Sequence, residues 1–535
     1  MEFKLPIQYI NHETVNSHVI NDLELIESEE TPVYEKLFLP KTPESKEMSH
    51  QWAKYYTTDS KFLKESILLF KKAQKPISIS SFVSHWKKIK ENKEFKITYQ
   101  YIESPWFSML NTSPAFLMFI SVYFMTSPIL FMASPLIMMI IPFFVLRAKG
   151  ESISWDTYMV IFKGLIGQHA IGGLFTKFSN GDSKQRTYLI GTACFFCVQL
   201  YANLYSFYTF YTNMNTIHTV FKDMNIYLED TIKSMEHLQD LISPLSSYKH
   251  FNDKVFKQKE ILSAFYKKSK LLNCSVKQCG TYRSLFYELY DNSTLKQAIE
   301  YSIELHGFLQ NIFQIKRSIG KRIHECEFSD KTYFEKAYYP TKNPVKNSYT
   351  LEENMIITGP NASGKTTILK ATIINVLLSQ QIGCGFYKSA TICPYESIYC
   401  YINIPDTSGR DSLFQAEARR CKEIVDEAVK QKRTLCIFDE LFSGTNPQEA
   451  TASACSLLLF LNNYPSFRFL LTTHFIDVCN QLKTTSIAMK HMKTIGETYT
   501  YKLENGISYA KGGVKVLQQL DFPESIVNEA RMRSK

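Results

Sequence analysis

The stretch Ile-Thr-Gly-Pro-Asn-Ala-Ser-Gly-Lys-Thr-Thr at residues 357–367 decides the fold of the C-terminal part of this chain. It fills the pattern G-x-x-x-x-G-K-[ST], with an apolar run before it and a helix-compatible run after it. In this strand–loop–helix arrangement the glycines let backbone N–H groups converge on phosphate oxygens, and the positive end of the helix points at the same place. The pattern predicts a nucleotide-binding loop, with a plain tight turn as the alternative. The predicted loop residues are Gly359, Pro360, Asn361, Ala362, Ser363, Gly364, Lys365, Thr366 and Thr367.

Two polar side chains of this loop have predicted roles in phosphate chemistry. The Lys365 ammonium would reach the β- and γ-phosphates, and the Thr366 hydroxyl would ligate Mg²⁺. A second motif, Thr-Leu-Cys-Ile-Phe-Asp-Glu at 434–440, has the pattern of a buried strand that ends in two acids. Asp439 is predicted to hold the Mg²⁺, and Glu440 to orient or deprotonate the attacking water. The alternative is an apolar strand with two solvated acids at its end.

A third strand pattern, at 467–471, ends in Thr472-Thr473-His474. In open α/β sheets, ligands bind in the crevice at the carboxyl ends of the parallel strands. A histidine in that position is predicted to face the nucleotide, where it would report the presence of the γ-phosphate. We therefore expect Lys365, Glu440 and His474 to form the catalytic set of an α/β P-loop NTPase domain.

These segments carry a family resemblance that covers residues from about 335 to 535. VKNSYTLEENMIITGP at 345–360, LLSQQIG at 377–383, DELFSGTNP at 439–447 and LTTHF at 471–475 resemble the ATPase domain of the MutS family, the DNA mismatch-repair ATPases and their relatives. The resemblance implies that Gln381 contacts the nucleotide. ABC-type ATPases share the loop and the acidic strand, but their Gly-rich signature lies closer to that strand, so they are the second interpretation.

The segment SGRDSLFQAEARR at 408–420 resembles the family signature that crosses a dimer interface. The resemblance implies that Ser412 caps the γ-phosphate bound by a partner chain, with Phe414 and Glu417 in register behind it. Ser412 precedes a helical pattern, where an N-terminal hydroxyl and free N–H groups favour an anion. Each site would then need two chains, in a homodimer or a heterodimer with a related subunit.

The resemblance implies ATP hydrolysis with Mg²⁺, coupled to binding of double-stranded DNA in mismatch repair or recombination. Phe286-Tyr287-Glu288 resembles the family's mismatch wedge, but it lies in a helical pattern without the domain that would present a wedge. We therefore expect an ordinary helix segment there and no mismatch-recognition domain. A membrane-anchored relative without mismatch recognition, and an ABC-type ATPase, are the alternative functions.

Composition limits the class of protein and its compartment. The 535 residues exceed one core and predict three or four structural units. The formal net charge of +10 is mild and dispersed, so it permits contact with nucleic acid or anionic membranes without requiring it. The 12 cysteines have no disulfide-framework spacing, which favours reduced thiols in the cytoplasm or nucleus. We expect Cys194 and Cys197, a lone C-x-x-C pair, to be packing residues.

Residues 105–146 contain no Asp, Glu, Lys or Arg. A membrane span needs about 20 apolar residues, so this run predicts two spans, 106–125 and 129–146, with the turn at Pro128. Basic residues on both sides favour flanks, and hence an ATPase domain, on the cytosolic side. The alternative is a buried helix pair in a soluble domain.

Further patterns complete the predicted organisation of the chain. Thr187–Phe221 is uncharged but rich in tyrosine, which suggests a core or interfacial helix, with a third membrane span as the alternative. Two long helical patterns follow it. The expected order is a mostly helical region at 1–104, a hydrophobic transmembrane hairpin at 105–147, a mostly α-helical lever region at 148–334 and the MutS-like ATPase domain at 335–535.

Overall fold

A computed structural model of the chain describes residues 3–76, 80–150, 154–179, 182–272, 276–402, 413–496, 498–510, 517–518 and 520–533. The chain forms two compact units. The first contains Met1–Ile77, Ser234–Gln258 and Glu300–Lys535, and the second contains Ser78–Lys233 and Lys259–Ile299. The predicted order of regions differs from this division, because the N-terminal residues fold with the C-terminal α/β region rather than as a region of their own.

The N-terminal segment of the first unit consists of short elements. They are β1 (Glu13–Thr14), α1 (Ser17–Asp22), α2 (Val33–Phe38), α3 (Pro43–Trp52), β2 (Tyr55–Tyr56) and α4 (Ser60–Lys72). The start of α4 is stabilised by an N-cap. The Asp59 carboxylate accepts hydrogen bonds from the backbone N–H groups of Lys61 and Phe62, which would otherwise have no partner at the helix end. The buried face of α4 then packs into the core of the unit.

Nine helices follow in the described part of the chain. They are α5 (Ser80–Glu91), α6 (Phe95–Thr98), α7 (Pro114–Ala148), α8 (Trp155–Ile166), α9 (Ala170–Lys177), α10 (Ser183–Ile242), α11 (Lys249–Lys270), α12 (Cys279–Asp291) and α13 (Ser293–Ser318). Helices α10, α11 and α13 include residues of both units. The long helical patterns of the sequence are therefore confirmed, and α10 begins well before the point at which its amphipathic pattern starts.

The predicted turn at Pro128 is wrong, because α7 runs through that residue as one 35-residue helix. A proline within a helix removes a single N–H donor, whereas a turn among apolar residues would expose several unpaired backbone groups. The antiparallel partner of this helix is α10. The Phe131 and Phe196 rings lie 4.6 Å apart and the Phe124 and Phe210 rings 5.7 Å apart, so residue numbers rise along one helix as they fall along the other.

The α/β region of the first unit contains two sheets. Its elements are β3 (His324–Phe328), β4 (Tyr333–Ala337), β5 (Asn347–Thr350), β6 (Met355–Thr358), α14 (Lys365–Ile382), β7 (Cys384–Gly385), β8 (Ser389–Ile392), β9 (Ser397–Tyr401), α15 (Leu413–Val429), β10 (Thr434–Asp439), α16 (Pro447–Asn462), β11 (Phe467–Thr473), α17 (Ile476–Leu482), β12 (Ala488–Ile495), β13 (Thr498–Asn505) and α18 (Glu524–Arg533). The three strands and the helix that the motifs predict are confirmed as β6, β10, β11 and α14.

The larger sheet has the strand order β13-β12-β6-β11-β10-β9. Five strands are parallel, and only the edge strand β13 is antiparallel. The apolar residues of β6, β10 and β11 are buried, as expected for parallel strands covered on both faces. Because parallel strands end at one edge, this sheet brings the ends of β6, β10 and β11 together. The smaller sheet has the order β5-β4-β8-β3-β7.

The N-terminal segment supports the far end of α14. The Thr57 N–H donates to the Gln380 carbonyl over 3.0 Å, and the Gln380 amide donates to the Thr57 carbonyl over 3.2 Å. The same amide also donates to the Tyr395 carbonyl over 2.8 Å. Buried polar groups that are paired in this way fix the position of a helix, because each unpaired group would cost free energy. The helix that begins at the candidate loop is thus held firmly at its other end.

Candidate nucleotide-binding site

The loop between β6 and α14 has a backbone that requires small residues. Gly359 and Gly364 have φ of 156° and 95°, and Ala362 has a φ of 62°. A Cβ on Gly364 would lie 3.1 Å from Tyr501 Cδ1, and one on Gly359 would lie 2.9 Å from Ser363 Oγ. Both glycines therefore combine a left-handed conformation with close neighbours. The loop wraps around the N-terminus of α14, where free N–H groups attract anions.

Lys365 is buried and holds the loop together. Its Nζ donates to the carbonyls of Gly359 over 2.9 Å and Pro360 over 3.2 Å, and to Asn361 Oδ1 over 3.4 Å. Glu440 Oε1 lies 3.6 Å away. The ammonium thus occupies the centre of the cradle and bonds to the loop's own oxygens. Phosphate oxygens entering the cradle would offer it stronger, charged acceptors.

The end of β10 faces the start of α14. Asp439 accepts a hydrogen bond from Thr366 Oγ1 over 2.8 Å and another from the Thr472 hydroxyl of β11. The parallel register places Asp439 directly beside Thr472. The Thr366 hydroxyl and the Asp439 carboxylate are hard oxygen donors, which suit Mg²⁺. The structure thus brings together the two residues that the sequence predicts as metal ligands.

Glu440 follows in a left-handed backbone conformation, with a φ of 55°. A non-glycine residue in that region is strained, and such strain is found preferentially at functional sites. Its Oε1 lies 3.5 Å from His474 Nδ1 and 3.6 Å from Lys365 Nζ. The hydrogen bond with His474, then the charges of His474 and Lys365, hold the pKa of Glu440 below its ordinary value of 4.5, although burial raises it. The carboxylate is therefore ionised at neutral pH and available as a base.

The residues present fit a magnesium nucleotide. Ser363 Oγ is buried in the loop and has no hydrogen-bond partner, which is unusual for a buried hydroxyl. It lies in the same glycine-lined loop as the Lys365 ammonium. A group of phosphate oxygens would satisfy both this hydroxyl and the loop N–H groups. Asp439 and Thr366 supply the oxygen donors for the cation beside them.

A second cavity of about 240 Å³ continues from the loop. Gly364, Thr367 and Tyr501 border both this cavity and the phosphate cradle. The other lining residues are largely aromatic or apolar, and include Tyr338, Tyr339, Pro344, Val345, Tyr349, Ile368 and Ala371. Sequence reasoning missed this cavity. No short motif marks Tyr501, which reaches the loop only because β13 pairs with β12 beside β6.

The helix α15 is tied to the loop that follows β10. The buried Glu417 carboxylate accepts hydrogen bonds from the Ser443 N–H over 3.0 Å, the Ser443 hydroxyl over 3.1 Å and the Gly444 N–H over 3.2 Å. The rings of Phe414 and Phe442 lie 5.6 Å apart. The start of α15 is therefore attached to the loop that comes directly after Asp439 and Glu440. Ser412 lies outside the described residues, so its predicted contact with a partner's nucleotide stays a prediction.

The structure does not bring Gln381 to this site, which corrects the prediction that it contacts the nucleotide. It lies 16 residues beyond Lys365 on α14, about 24 Å away at 1.5 Å per residue. Its amide donates to the Trp52 carbonyl over 2.9 Å and accepts from the Tyr34 hydroxyl. Gln381 is a buried bridge between the helix and the N-terminal segment.

Two other sequence features lie outside the site. Phe286 of α12 is fully buried, with its ring 5.2 Å from that of Phe95 and 4.8 Å from that of Tyr99. The prediction of an ordinary helix segment there is confirmed. Cys194 and Cys197 are exposed on α10 rather than packed inside, which corrects the prediction. Among the described residues, no group of three or more His, Cys, Asp and Glu side chains could hold a metal ion.

The parallel sheet, the glycine loop and the acidic strand end define a P-loop nucleotide-binding domain. Residues 355–535 match the family model of MutS domain V, which is the P-loop ATPase domain of its family. Through these residues the chain is similar to the MutS family.

Three relatives illustrate this similarity. MutS protein homolog 4 of Mus musculus is 28% identical over 233 residues, which cover 38% of this chain and 23% of the mouse protein. The human protein of the same name is 28% identical over 233 residues, 38% of this chain and 24% of its own length. DNA mismatch repair protein MutS of Bacillus cereus (strain AH187) is 27% identical over 244 residues, 43% of this chain and 26% of its own. The chain spans about a quarter of the length of these curated relatives.

Proposed function

We propose that this chain binds ATP with Mg²⁺ and hydrolyses it. The observation that supports this proposal most strongly is the meeting of Lys365, Thr366, Asp439, Glu440 and His474 at the ends of three parallel strands and the start of α14. Each of them has the chemistry that phosphoryl transfer to water needs: a cation for the phosphates, two oxygens for the metal, a base and a neighbour that positions the base. When bound, Mg²⁺ would neutralise charge on the phosphates.

Lys365 and Glu440 work as a pair in this mechanism. The ammonium bonds to loop carbonyls and lies 3.6 Å from the carboxylate. Phosphate oxygens draw the ammonium away, because a charged acceptor makes a stronger bond than a carbonyl. The Glu440 carboxylate then keeps only its contact with His474 and can accept a proton from water. The site thus gains its base when the phosphates arrive.

The aromatic cavity beside the loop is the proposed pocket for the adenine base. It is continuous with the phosphate cradle through Gly364 and Tyr501. An adenine ring is flat and apolar on its faces, so an aromatic ring can stack on it. The cavity also contains Thr341 and Asn343, whose polar groups can meet the ring edge. A base pocket beside the phosphate loop would make the site selective for a nucleotide over other phosphates.

The active form is proposed to be a dimer. The MutS resemblance of residues 408–420 implies that Ser412 of one chain completes the other chain's site. The bonds from Glu417 to Ser443 and Gly444 support a mechanical role for this segment, because they couple the start of α15 to the loop after the acidic pair. A change at Glu440 on nucleotide binding would thereby reach the proposed dimer face. The partner is a second copy or a related subunit.

Double-stranded DNA is the proposed ligand to which ATP turnover is coupled, in mismatch repair or recombination. The support is the match to MutS domain V together with the similarity to DNA mismatch repair protein MutS of Bacillus cereus. The formal charge of +10 is compatible with phosphate contacts. Binding that depends on such contacts weakens steeply as salt is added. A membrane-anchored form of the same ATPase is the second candidate, because α7 and α10 expose many large apolar side chains.

One experiment tests the substrate and the ligand together. The ATPase rate of the purified chain in detergent is measured alone and with homoduplex, mismatched and junction DNA, at two salt concentrations. We expect a basal rate that at least one DNA raises, with the stimulation lost at high salt. A basal rate that no DNA changes would leave the ATPase proposal standing and overturn the DNA proposal. No hydrolysis under any condition would overturn both.

Glu440→Gln tests the base and the dimer. The amide keeps the shape of the side chain but cannot accept a proton, so turnover should fall about 100-fold or more while ATP binding remains. ATP should then accumulate at the sites and hold two chains together, which light scattering with ATP and Mg²⁺ would detect. Glu396→Gln, an acid outside the site whose side chain is 42% exposed, should keep the turnover of the wild type. A Gln variant with normal turnover would remove Glu440 from the mechanism.

A further inference from the structure

Two helices of the second unit expose apolar residues to an unusual extent. Within their most apolar stretches, only 17% of the residues of α7 and 6% of those of α10 are buried. The exposed side chains on α7 include Phe119, Ile129, Leu130, Met132, Leu136, Ile137, Met139, Ile140 and Phe144. Those on α10 include Tyr188, Ile190, Phe195, Val198, Tyr201, Leu204, Tyr205 and Tyr208. A buried core helix would show the opposite pattern.

We propose that α7 and the N-terminal half of α10 form an antiparallel hairpin that inserts into a lipid bilayer. The pairing is direct: Phe131 stacks on Phe196, and Phe124 on Phe210. The proposal replaces the hairpin predicted within 105–147. The second span comes from the tyrosine-rich helix about 60 residues further along the chain, rather than from the second half of the first apolar run.

The ends of the hairpin set the depth of insertion. At one end α7 packs on α12, where Arg283 Nη1 donates to Ser121 Oγ over 3.3 Å and Leu117 is buried. At the other end the uncharged part of α7 is followed by Arg147, and the uncharged part of α10 is preceded by Arg186. Between these limits lie residues 122–146 and 187–211, with no Asp, Glu, Lys or Arg.

The length of this zone matches a bilayer. Each stretch has 25 residues by its bounds, or about 37 Å of helix at 1.5 Å per residue. The hydrocarbon core of a bilayer is about 30 Å thick, and about 40–45 Å with its headgroup layers. The short helices α8 and α9 accompany the distal half of α7: Tyr158 donates to the Met139 carbonyl over 2.6 Å, and His169 Nε2 lies 3.4 Å from Ser134 Oγ. Their lysines, Lys163 and Lys177, have long side chains that can reach the headgroup layer.

The width of the apolar surface favours lipid over a protein partner. At 100° per residue, the exposed apolar positions of α7 between 119 and 144 cover about 200° of its circumference. A helix that packs on one partner helix needs only a narrow apolar stripe. Hydrocarbon surrounds a helix on every side that protein leaves free. A second copy of the chain would cover one side of this hairpin and leave the other in water.

The topology places both flanks on one side. Since α7 enters and α10 leaves at the same end of the hairpin, residues before 114 and after 221 lie on the same face of the bilayer. That face is proposed to be the cytosolic one, where ATP is available to the loop at 359–367. The proposal does not depend on ATP hydrolysis, since it rests on residues of the second unit.

The test is flotation with vesicles of phosphatidylcholine and phosphatidylglycerol after an alkaline carbonate wash. We expect the full chain to float with the vesicles. The variant Ile129→Lys/Leu136→Lys/Phe144→Lys, which places charges only at exposed positions of α7, should lose most of the floating fraction. The matched control Leu68→Lys/Ile226→Lys/Leu271→Lys, also exposed but outside the hairpin, should float as wild type does. Equal loss in both variants would overturn the proposal.

A second measurement needs no folding-sensitive variant. Cys194 and Cys197 are exposed on α10, inside the proposed bilayer zone. In vesicles, a charged water-soluble maleimide should label the wild type and the Cys194→Ser/Cys197→Ser variant equally, because lipid covers both thiols. Excess labelling of the wild type would show that water reaches them. A chain that stays soluble without detergent, as a dimer that the lysine variant splits, would make a second copy the occupant and overturn the proposal.

Discussion

Strand β10 and helix α7 have similar apolar composition and opposite surroundings. In β10 the residues Cys436 and Ile437 are fully buried, between strands on both sides. In α7, Ile137 is 44% and Leu136 63% exposed. The same hydrophobic effect therefore drives the strand into the protein's own interior and, by our proposal, the helix into lipid. Hydropathy alone does not separate these cases, whereas exposure in the folded chain does.

The largest expected difference between β10 and α7 is in the loss of stability that a lysine causes in each of them. Ile437→Lys puts an unpaired charge at the centre of the sheet, and its cost should exceed about 4 kcal/mol, a large share of an ordinary domain's stability. Ile137→Lys, in the second unit, should leave the thermal unfolding of the chain nearly unchanged, because its side chain already faces outward. Differential scanning fluorimetry in detergent, with ATP binding as the check of folding, would compare them. Equal destabilisation would mean that α7 is covered by protein.

Lys365→Ala removes the cation at the centre of the cradle. Turnover should fall by about 100-fold or more, since preorganised charge on the phosphates is usually the largest catalytic contribution. The control is Lys370→Ala, on the same helix, whose Nζ lies 3.1 Å from the partly exposed Glu24 carboxylate. It should keep nearly full activity, because Lys370 does not line the phosphate cradle. Steady-state phosphate release measures both. If the two variants lost activity equally, the effect would lie in the helix and not in the cradle.

Sequence reasoning found the parts of the site that follow a fixed local spacing. Gly359, Lys365 and Thr366 lie within one loop, and the positions of Asp439 and His474 follow from where their parallel strands end. It failed where a residue's position depends on tertiary structure. Gln381 is only 16 residues from Lys365, yet α14 carries it to the far end of the domain.

The hairpin shows the same limit. The uncharged runs at 105–146 and 187–221 are plain in the sequence, and both are helical in the structure. Which helix pairs with which depends on contacts such as Phe131 with Phe196, which no periodicity reveals. Pro128 favoured the prediction of a turn. A proline removes only one hydrogen bond from a helix, and the residues around Pro128 include no glycine that would help the chain to reverse. Tyr501 was missed for a related reason, because its place beside the loop depends on the order of the strands.

Glu417→Gln tests the link between α15 and the acidic pair. The amide replaces a carboxylate that accepts from two N–H groups and a hydroxyl, so at least one buried donor loses its partner, at about 1–3 kcal/mol. The midpoint of thermal unfolding should fall, and ATP-dependent dimerisation should weaken further. Glu423→Gln, on the same helix with a side chain 55% exposed, should change stability only slightly. Unchanged stability in Glu417→Gln would show that the loop holds its position without this carboxylate.

His474→Asn should give the smallest effect, a change in the pH dependence of turnover. Hydrogen bonding with His474 is the largest cause that holds the pKa of Glu440 below 4.5. A base with a lowered pKa is active above that pKa and is lost as pH falls through it. Removing the imidazole takes away the largest cause that lowers the pKa of Glu440, so the acid limb of kcat should move to higher pH. The shift is measured by comparing pH profiles of kcat for the wild type and His474→Asn. The control is His491→Asn, because His491 lies on β12 and does not contact Glu440. An unmoved acid limb in His474→Asn would assign that limb to another group.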